Sequence, residues 1–366
     1  MGFMKKGASF LSLKEIVVEL SNAFGPSGFE SEVRELFGKL VADYTEIAYD
    51  NLGSIIAAHH GKSAAPRILL AAHLDEVGLM VRGITPGGYL KVVPLGGWWP
   101  PTLLAQRVVV RSKKGDYFGA VGAKPPHYLG EEERNRPLKM ADLYIDIGAR
   151  SYDEVAVLGI AVGDPVVPAV KVESLGTPDT LIGKAFDDRA GCAVIAQVLR
   201  ELDGNHPNGV FGAGTVQEEN GLKGAGAVAA AVEPDVCLVI EGAPADDFPD
   251  ASSIVQGKLG GGPQIRYFDP AMIANQALVS LTKTKAEQLG IPYQLAVREG
   301  GGTDGKEIQR FGKGVPTLVI GIPVRYVHSH QCIMSLNDLE ATVKLVKGLI
   351  DVLDEDTVKE IKVKPW

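Results

Sequence analysis

The sequence predicts an α/β fold: one mixed-sheet domain flanked by helices and interrupted by a small β-barrel-like insert. Three observations predict it. Helix-like and strand-like patterns alternate up to about residue 76. From about Gly83 the texture changes to short β-prone runs between Gly and Pro clusters, with no long helical pattern before about Glu173. Beyond that point the strand–helix alternation returns. The expected divisions are 1–76 and 173–366 for the two parts of the α/β domain, and 77–172 for the β-rich insert.

The elements follow in order. Ser12 is placed to cap a helix carrying Leu13, Ile16, Val17 and Leu20. Gly25-Pro26 breaks that helix, and Ser27 and Glu30 have capping-box spacing for the next one. "RILLAAHLD" is a short continuous apolar run, the pattern of a strand buried on both faces. Within the insert, "SKKGDY" reads as a hairpin turn. "AGCAVIAQVLREL" then reads as a helix, "NGVFGAGTVQ" as a strand and "LKGAGAVAAAV" as a helix of small residues. "VCLVIEG" and "TLVIGIPV" are strands. The last helix is expected from Ser335, with Asp338 three residues on and Leu339, Val343, Val346 and Ile350 on one face.

Composition bounds the function. A chain of 366 residues that is 45% hydrophobic and 22% charged can bury a large core. A net charge of −8 argues against a nucleic-acid partner and gives no sign of anionic-membrane binding. No apolar run reaches the length of a membrane span. The N-terminal apolar stretch is broken by Lys14 and Glu15, too early for a signal peptide, and Lys6 stands where a myristoylation motif has Ser or Thr. Cys192, Cys237 and Cys332 show no metal or disulfide spacing, and Cys192 reads as a small buried side chain. A reducing, cytoplasmic setting is expected.

The chemistry collects where apolar runs end. His73 follows "ILLAA", with Asp75 two beyond. Asp187 follows "LIGKAF". Glu218 and Glu219 follow "VFGAGTV", Glu241 follows "VCLVI", and His328 ends "TLVIGIPVRYV". Sites in open α/β sheets form outside the carboxyl ends of the strands. Five segments thus deliver two imidazoles and several carboxylates to one sheet edge, a donor set suited to zinc, cobalt or manganese. Each member has a bland reading: a structural histidine, a solvated acid, or, for Asp187 with Asp188 and Arg189, an ion-pair cluster or helix cap. Together they point to a metal centre. Neighbouring side chains diverge, so Glu218 and Glu219 are expected to divide the work, one binding metal and the other taking a proton from water.

These segments carry a resemblance. "AAHLDEVGLMV", "GKAFDDRAGC", "TVQEENGLKGA" and "RYVHS" resemble the signature segments of the tetrahedral (TET) aminopeptidases, the glutamyl-aminopeptidase family of dinuclear metallopeptidases. "GAVGAKPPH" and "GGTDG" are also similar, and the match runs in order from about Leu13 to Leu353. The resemblance implies that His73 binds one metal and His328 the other. Asp187 bridges them, Glu219 is a terminal ligand and Glu218 the general base. Asp75 matches the residue that orients the first histidine. Glu241 stands at a ligand position that is often Asp in the family, and Asp246 and Asp247 compete for that role. Two divalent ions, zinc or cobalt, are implied, and three carboxylates with a hydroxide would balance their charge. The substrate implied is a peptide with a free N-terminus. The insert is implied to mediate self-association, as a dimer or a hollow tetrahedral dodecamer.

Other features are weighed beside this. Gly301, Gly302 and Thr303 read either as a flexible turn or as backbone approaching the substrate. Trp98 and Trp99 read as core or as interface. One alternative function is an endo-1,4-β-glucanase, which needs two carboxylates facing each other across a sugar and leaves the histidines without purpose. Another is a metal-dependent deacylase on the same site.

Overall fold

The computed structural model describes residues 11–249 and 254–364. Lys6, set above against a myristoylation motif, lies outside them. The first helix, Leu13–Asn22, begins as expected: Ser12 Oγ accepts from the Glu15 amide, and the Glu15 carboxylate accepts from the Ser12 amide. It buries Ile16, Val17 and Leu20.

A twelve-stranded mixed sheet forms the body of the molecule. At its centre four strands run parallel, in the order Gly209–Thr215, Arg67–His73, Val236–Pro244 and Thr317–Arg325. These are the continuous apolar runs of the sequence, and all four are almost wholly buried, as parallel strands covered on both faces must be. Register places Thr215 beside His73 and Glu241 beside Gly321. The shared strand direction therefore brings His73, Glu218, Glu219, Glu241 and His328 to one edge. Helix Phe186–Glu201 lies across this centre, with Ala190, Ala193, Val194, Ile195, Val198 and Leu199 buried. Arg189, fully buried, donates to the carbonyls of Leu20 and Gly25 and so closes the end of the first helix.

The insert is a closed six-stranded antiparallel barrel. Its strands run from Gly78–Ile84 to Pro165–Pro168. It has its own apolar core, with Leu79, Val81, Leu90, Val108, Val110, Val121 and Ile145 inside. The "SKKGDY" turn joins Arg107–Ser112 to Gly115–Gly122.

Three expectations need correction. Ser27 and Glu30 do not form a capping box: the second helix, Ser31–Val41, has no side-chain cap, and both side chains are used elsewhere. Ser335 does cap helix Leu336–Ile350, but Asp338 turns away to accept from the Gly260 and Gly262 amides. That helix is not the last, because Glu355–Val363 follows it, capped by Asp354.

Candidate metal centre

The Arg67–His73 strand delivers His73 to the sheet edge, where the ring is buried. Its Nε2 lies 3.1 Å from Asp187 Oδ1, and its Nδ1 lies 3.1 Å from the main-chain oxygen of Asp75. The other oxygen of Asp187 faces His328: Nε2 is 3.3 Å from Oδ2. His328 Nε2 is also 3.1 Å from Glu219 Oε1. Asp187 thus stands between two imidazoles, one oxygen toward each. Two groups of three donors result, His73–Asp187–Glu241 and Asp187–Glu219–His328, with the ligand atoms of each within 4.8 Å of one another.

Glu218 belongs to neither group. Its Oε2 lies 4.0 Å from His73 Nε2. The two glutamates part as side-chain geometry requires, Glu218 toward His73 and Glu219 toward His328. Gln217, just before them, has φ +56°, a left-handed turn that lets the strand end and the side chains separate.

Asp75 is fully buried, and its carboxylate holds backbone more closely than it holds the ring. It accepts from the amides of Glu218 at 3.0 Å and Glu219 at 3.1 Å and from Ser27 Oγ, while His73 Nδ1 is 3.5 Å from Oδ1. Asp188 serves three elements. Its carboxylate accepts from the amides of His73, Gly191 and Gly242, so it ties two strands to the helix that starts at the centre. Arg189, read alongside as a possible ion-pair partner, turns away from both aspartates: it donates to the carbonyls of Leu20 and Gly25 and lies 3.5 Å from Glu76 Oε1. Of the three acids competing for one ligand position, Glu241 is the one beside His73 and Asp187. Asp247 is clasped by Arg325 through two contacts, and Asp246 accepts from the amides of Gln256 and Gly257 and from Arg298.

Electrostatics mark a crowded anionic site. Burial raises the carboxyls of Glu218 and Glu241 well above the ordinary range, and other acids nearby add to it. Burial likewise raises Glu219. For His73, burial opposes the charged ring, but Glu218, Asp187 and Asp75 outweigh it and hold the imidazole well above its usual value. The same contest leaves His328 raised to about 11, with Asp187 and Glu219 as the opposing acids. Burial opposes ionisation of Asp187, and the hydrogen bonds from His328 and His73 reverse it, keeping this carboxyl below the ordinary range.

The donor set fits divalent metal. Metal–ligand bonds of about 2.0–2.1 Å put neighbouring tetrahedral ligands roughly 3.3 Å apart, which is the spacing of the His73, Asp187 and His328 contacts. Glu219 Oε1 is buried and makes no hydrogen bond, although His328 Nε2 is near. A divalent cation held by both residues would satisfy this oxygen where hydrogen-bond alignment fails. Buried carboxylates without a counter-charge are costly, and a dication removes that cost.

The insert reaches this centre, which the sequence did not signal. Gly96, with φ +86°, leaves room only for a hydrogen: a Cβ there would lie 2.7 Å from Val77 Cγ1 and 3.1 Å from Glu219 Oε2. A Cβ on Gly97 would lie 3.2 Å from His328 Nδ1. Trp98, half-buried, donates to the Gly78 carbonyl and packs on His330, whereas Trp99 is exposed. In the glycine-rich loop, Thr303 and Asp304 are buried, and Asp304 Oδ2 lies 2.5 Å from Thr215 Oγ1.

Comparison with known proteins gives consistent matches. The M42 glutamyl aminopeptidase family model matches residues 53–345. The FrvX protein of Escherichia coli (strain K12) is 36% identical over 348 residues, covering 94% of this chain and 96% of that protein. The glutamyl aminopeptidase of Lactococcus lactis subsp. cremoris is 34% identical, covering 96% of this chain and 99% of its own. The lysyl aminopeptidase of Pyrococcus furiosus is 32% identical, with 93% and 97% covered. Among solved structures, a TET aminopeptidase from the marine sediment archaeon Thaumarchaeota archaeon SCGC AB-539-E09 superposes with a TM-score of 0.93 at 43% identity, covering 95% of this chain and 98% of that one. The TET1 peptidase of Pyrococcus horikoshii, which can assemble into a tetrahedron or a large octahedral shell, gives 0.84 at 33% identity, covering 93% and 100%.

Proposed function

The chain belongs to the M42 glutamyl aminopeptidase family and is a metal-dependent aminopeptidase; from that premise we propose a two-metal mechanism with Glu218 as its general base. His73, Asp187 and Glu241 would hold one divalent ion, Asp187, Glu219 and His328 the other, with Asp187 shared. Zinc or cobalt suits these imidazole and carboxylate donors. When bound, the ions supply Lewis acidity that polarises the scissile carbonyl and acidifies water. The observation that carries the reading is the position of Glu218, buried beside the His73 group yet outside both sets of donors.

The chain's own residues do the rest. Glu218 takes the proton of the attacking water on its carboxylate and returns it to the leaving amine. Asp75 fixes the amides of Glu218 and Glu219 and so fixes where each carboxylate projects. Asp188 holds the His73 strand against the Glu241 strand through the His73 and Gly242 amides. The substrate is a peptide with a free N-terminus. Its preferred first side chain is left open by relatives that bear glutamyl and lysyl names. Against the glucanase alternative stands the donor grouping: each set gathers its acids around one imidazole, with ligand atoms within 4.8 Å of one another, and a pair of carboxylates acting across a sugar would leave both histidines without purpose.

The proposal extends to self-association through the 77–172 insert, as a dimer or a tetrahedral dodecamer. The assembly of the Pyrococcus horikoshii relative supports it, as do the exposed Trp99, Phe118 and Tyr128 of the insert. Light scattering reads the mass directly. We also place the protein in the cytoplasm. Its three cysteines are free and buried, and among the described residues no helix is long and apolar enough to cross a membrane.

The deciding assay is hydrolysis of leucyl, glutamyl and lysyl p-nitroanilides by protein stripped of metal and by protein refilled with zinc or cobalt. N-acetylated substrates serve as controls. Metal-restored cleavage of free but not acetylated substrates is expected. Cleavage of the acetylated controls would make the site that of a deacylase or endopeptidase.

A further inference from the structure

Three consecutive amides, those of Gln217, Glu218 and Glu219, lead into the centre, and none of them joins a sheet or helix ladder. Their partners are two buried carboxylates. Glu30 Oε1 accepts from Gln217 N at 3.0 Å, Asp75 Oδ1 from Glu218 N at 3.0 Å and Asp75 Oδ2 from Glu219 N at 3.1 Å. The carbonyls of Val216, Gln217 and Glu218 are also used. The amides of Gly221 and Leu222 donate to the Glu218 oxygen, Lys223 to that of Gln217 and Gly224 to that of Val216. The turn is therefore fastened on both sides.

Glu30 comes from the opening "GPSGFE" segment, 187 residues away in sequence. That segment is seated on the Asp75 backbone. Glu76 N donates to the Gly25 carbonyl at 3.0 Å, and Pro26 bridges Glu76. From there Ser27 Oγ donates to Asp75 Oδ2 at 2.5 Å, and Glu30 also accepts from Gly28 N at 2.7 Å. Ser27, Glu30 and Asp75 are all buried. Glu30 does not cap the helix that follows it; its one local bond is to the Gly28 amide, and the same oxygen reaches across to Gln217. Burying two acids side by side is costly unless hydrogen bonds are gained in return, and the bonds gained here are the ones that hold a left-handed residue in place before the two glutamates.

We infer that Ser27 and Glu30 are positioning residues for catalysis: with Asp75 they form a bracket that holds the Gln217–Glu219 turn so that Glu218 faces one side of the centre and Glu219 the other. The inference rests on the reading of Glu218 as base and Glu219 as ligand. Its chemistry is hydrogen-bond acceptance by Glu30, and a neutral amide oxygen can replace that.

The test compares Glu30→Ala, Glu30→Gln, Ser27→Ala and Glu218→Gln with the parent. Folding is checked by circular dichroism, kcat and KM are measured on the best p-nitroanilide, and zinc affinity is measured by direct titration of stripped protein. Glu30→Ala should lower both kcat and zinc affinity by roughly 10–100-fold, as loss of a partner that orients a ligand does, with KM little changed. Glu30→Gln should recover most of both. Ser27→Ala should move the same two quantities in the same direction by less, and it decides the matter if Glu30→Ala does not fold. A folded Glu30→Ala or Ser27→Ala protein with parental kcat and zinc affinity would overturn the bracket, and so would a Glu30→Gln protein as impaired as Glu30→Ala. An active Glu218→Gln enzyme would overturn the base reading itself. An inactive one beside parental Glu30→Ala would overturn only the bracket.

Discussion

At the scale of single residues, Glu218 carries the sharpest prediction. Glu218→Gln keeps the shape and leaves both donor groups intact, so it should lose about 10²–10⁴ in kcat, the worth of general base catalysis, while zinc titration of the stripped protein stays near parental. Asp304 carries a different one. Thr215 Oγ1 lies 3.2 Å from the Ala72 carbonyl and 2.5 Å from Asp304 Oδ2. A hydroxyl has one proton and a carbonyl can only accept, so both contacts are satisfied only if Asp304 donates as a neutral acid. Burial pushes its carboxyl up to about 6. Because the folded value is raised, the stability Asp304 contributes is fully present below its unfolded value and is lost as pH rises through about 6. Asp304→Asn can make the same donation at every pH. In urea titrations of metal-stripped protein, the variant should gain on the parent between pH 4 and pH 7, and a pH-independent difference would refute the neutral acid. The acids and histidines at the sheet edge were legible because each ends an apolar run. Ser27, Glu30, Asp188 and Asp304 were not, because what each one does depends on amides and hydroxyls far away in sequence.

At the scale of elements, two identical spacings had opposite fates. Ser12 and Glu15 form a capping box. Ser27 and Glu30 have the same separation, but Asp75 takes the hydroxyl and the Gln217 amide takes the carboxylate. Local chemistry permitted both boxes, and tertiary contact withdrew one of them. The loop "LGGWW" shows the converse. Its Trp98 and Trp99 read as core or as interface, yet the fold lays the two glycines before them against Glu219 and His328. Gly96→Val should therefore fold, since both apolar cores lie elsewhere, but it should bind zinc weakly and turn over slowly. A side chain there opposes the φ of +86° and displaces the Glu219 carboxylate. Parental zinc affinity in this variant would show that the insert does not shape the centre.

At the scale of the whole molecule, the candidate metal centre draws donors from strands and loops between His73 and His328. The crowd of buried acids around Asp187 is tolerable only with cations or protons among them. Stripping the metal should lower the melting temperature, and refilling with zinc should restore it. At a free metal concentration 1,000 times Kd the gain is about 4 kcal/mol. Differential scanning calorimetry with and without chelator reads it, and a chelator-insensitive transition would mean that no cation contributes to the fold. Glu218→Gln should keep the shift, since Glu218 lies outside both donor groups, whereas His328→Ala should reduce it.

The sequence by itself determined the α/β body, the β-rich interruption, the four buried central strands and the acids and imidazoles at their ends. Those features follow from periodicity and from where apolar runs stop, and both are local properties of the chain. Only the tertiary structure decided that Asp187 stands between two histidines, that Glu218 falls outside both donor groups, that Glu241 rather than Asp246 or Asp247 joins His73, and that the barrel loop and the N-terminal segment press on the same turn. The reason is physical. Which strands lie side by side in one direction, and which buried carboxylate finds which unpaired amide, depend on contacts between residues more than a hundred positions apart, and no spacing along the chain encodes them.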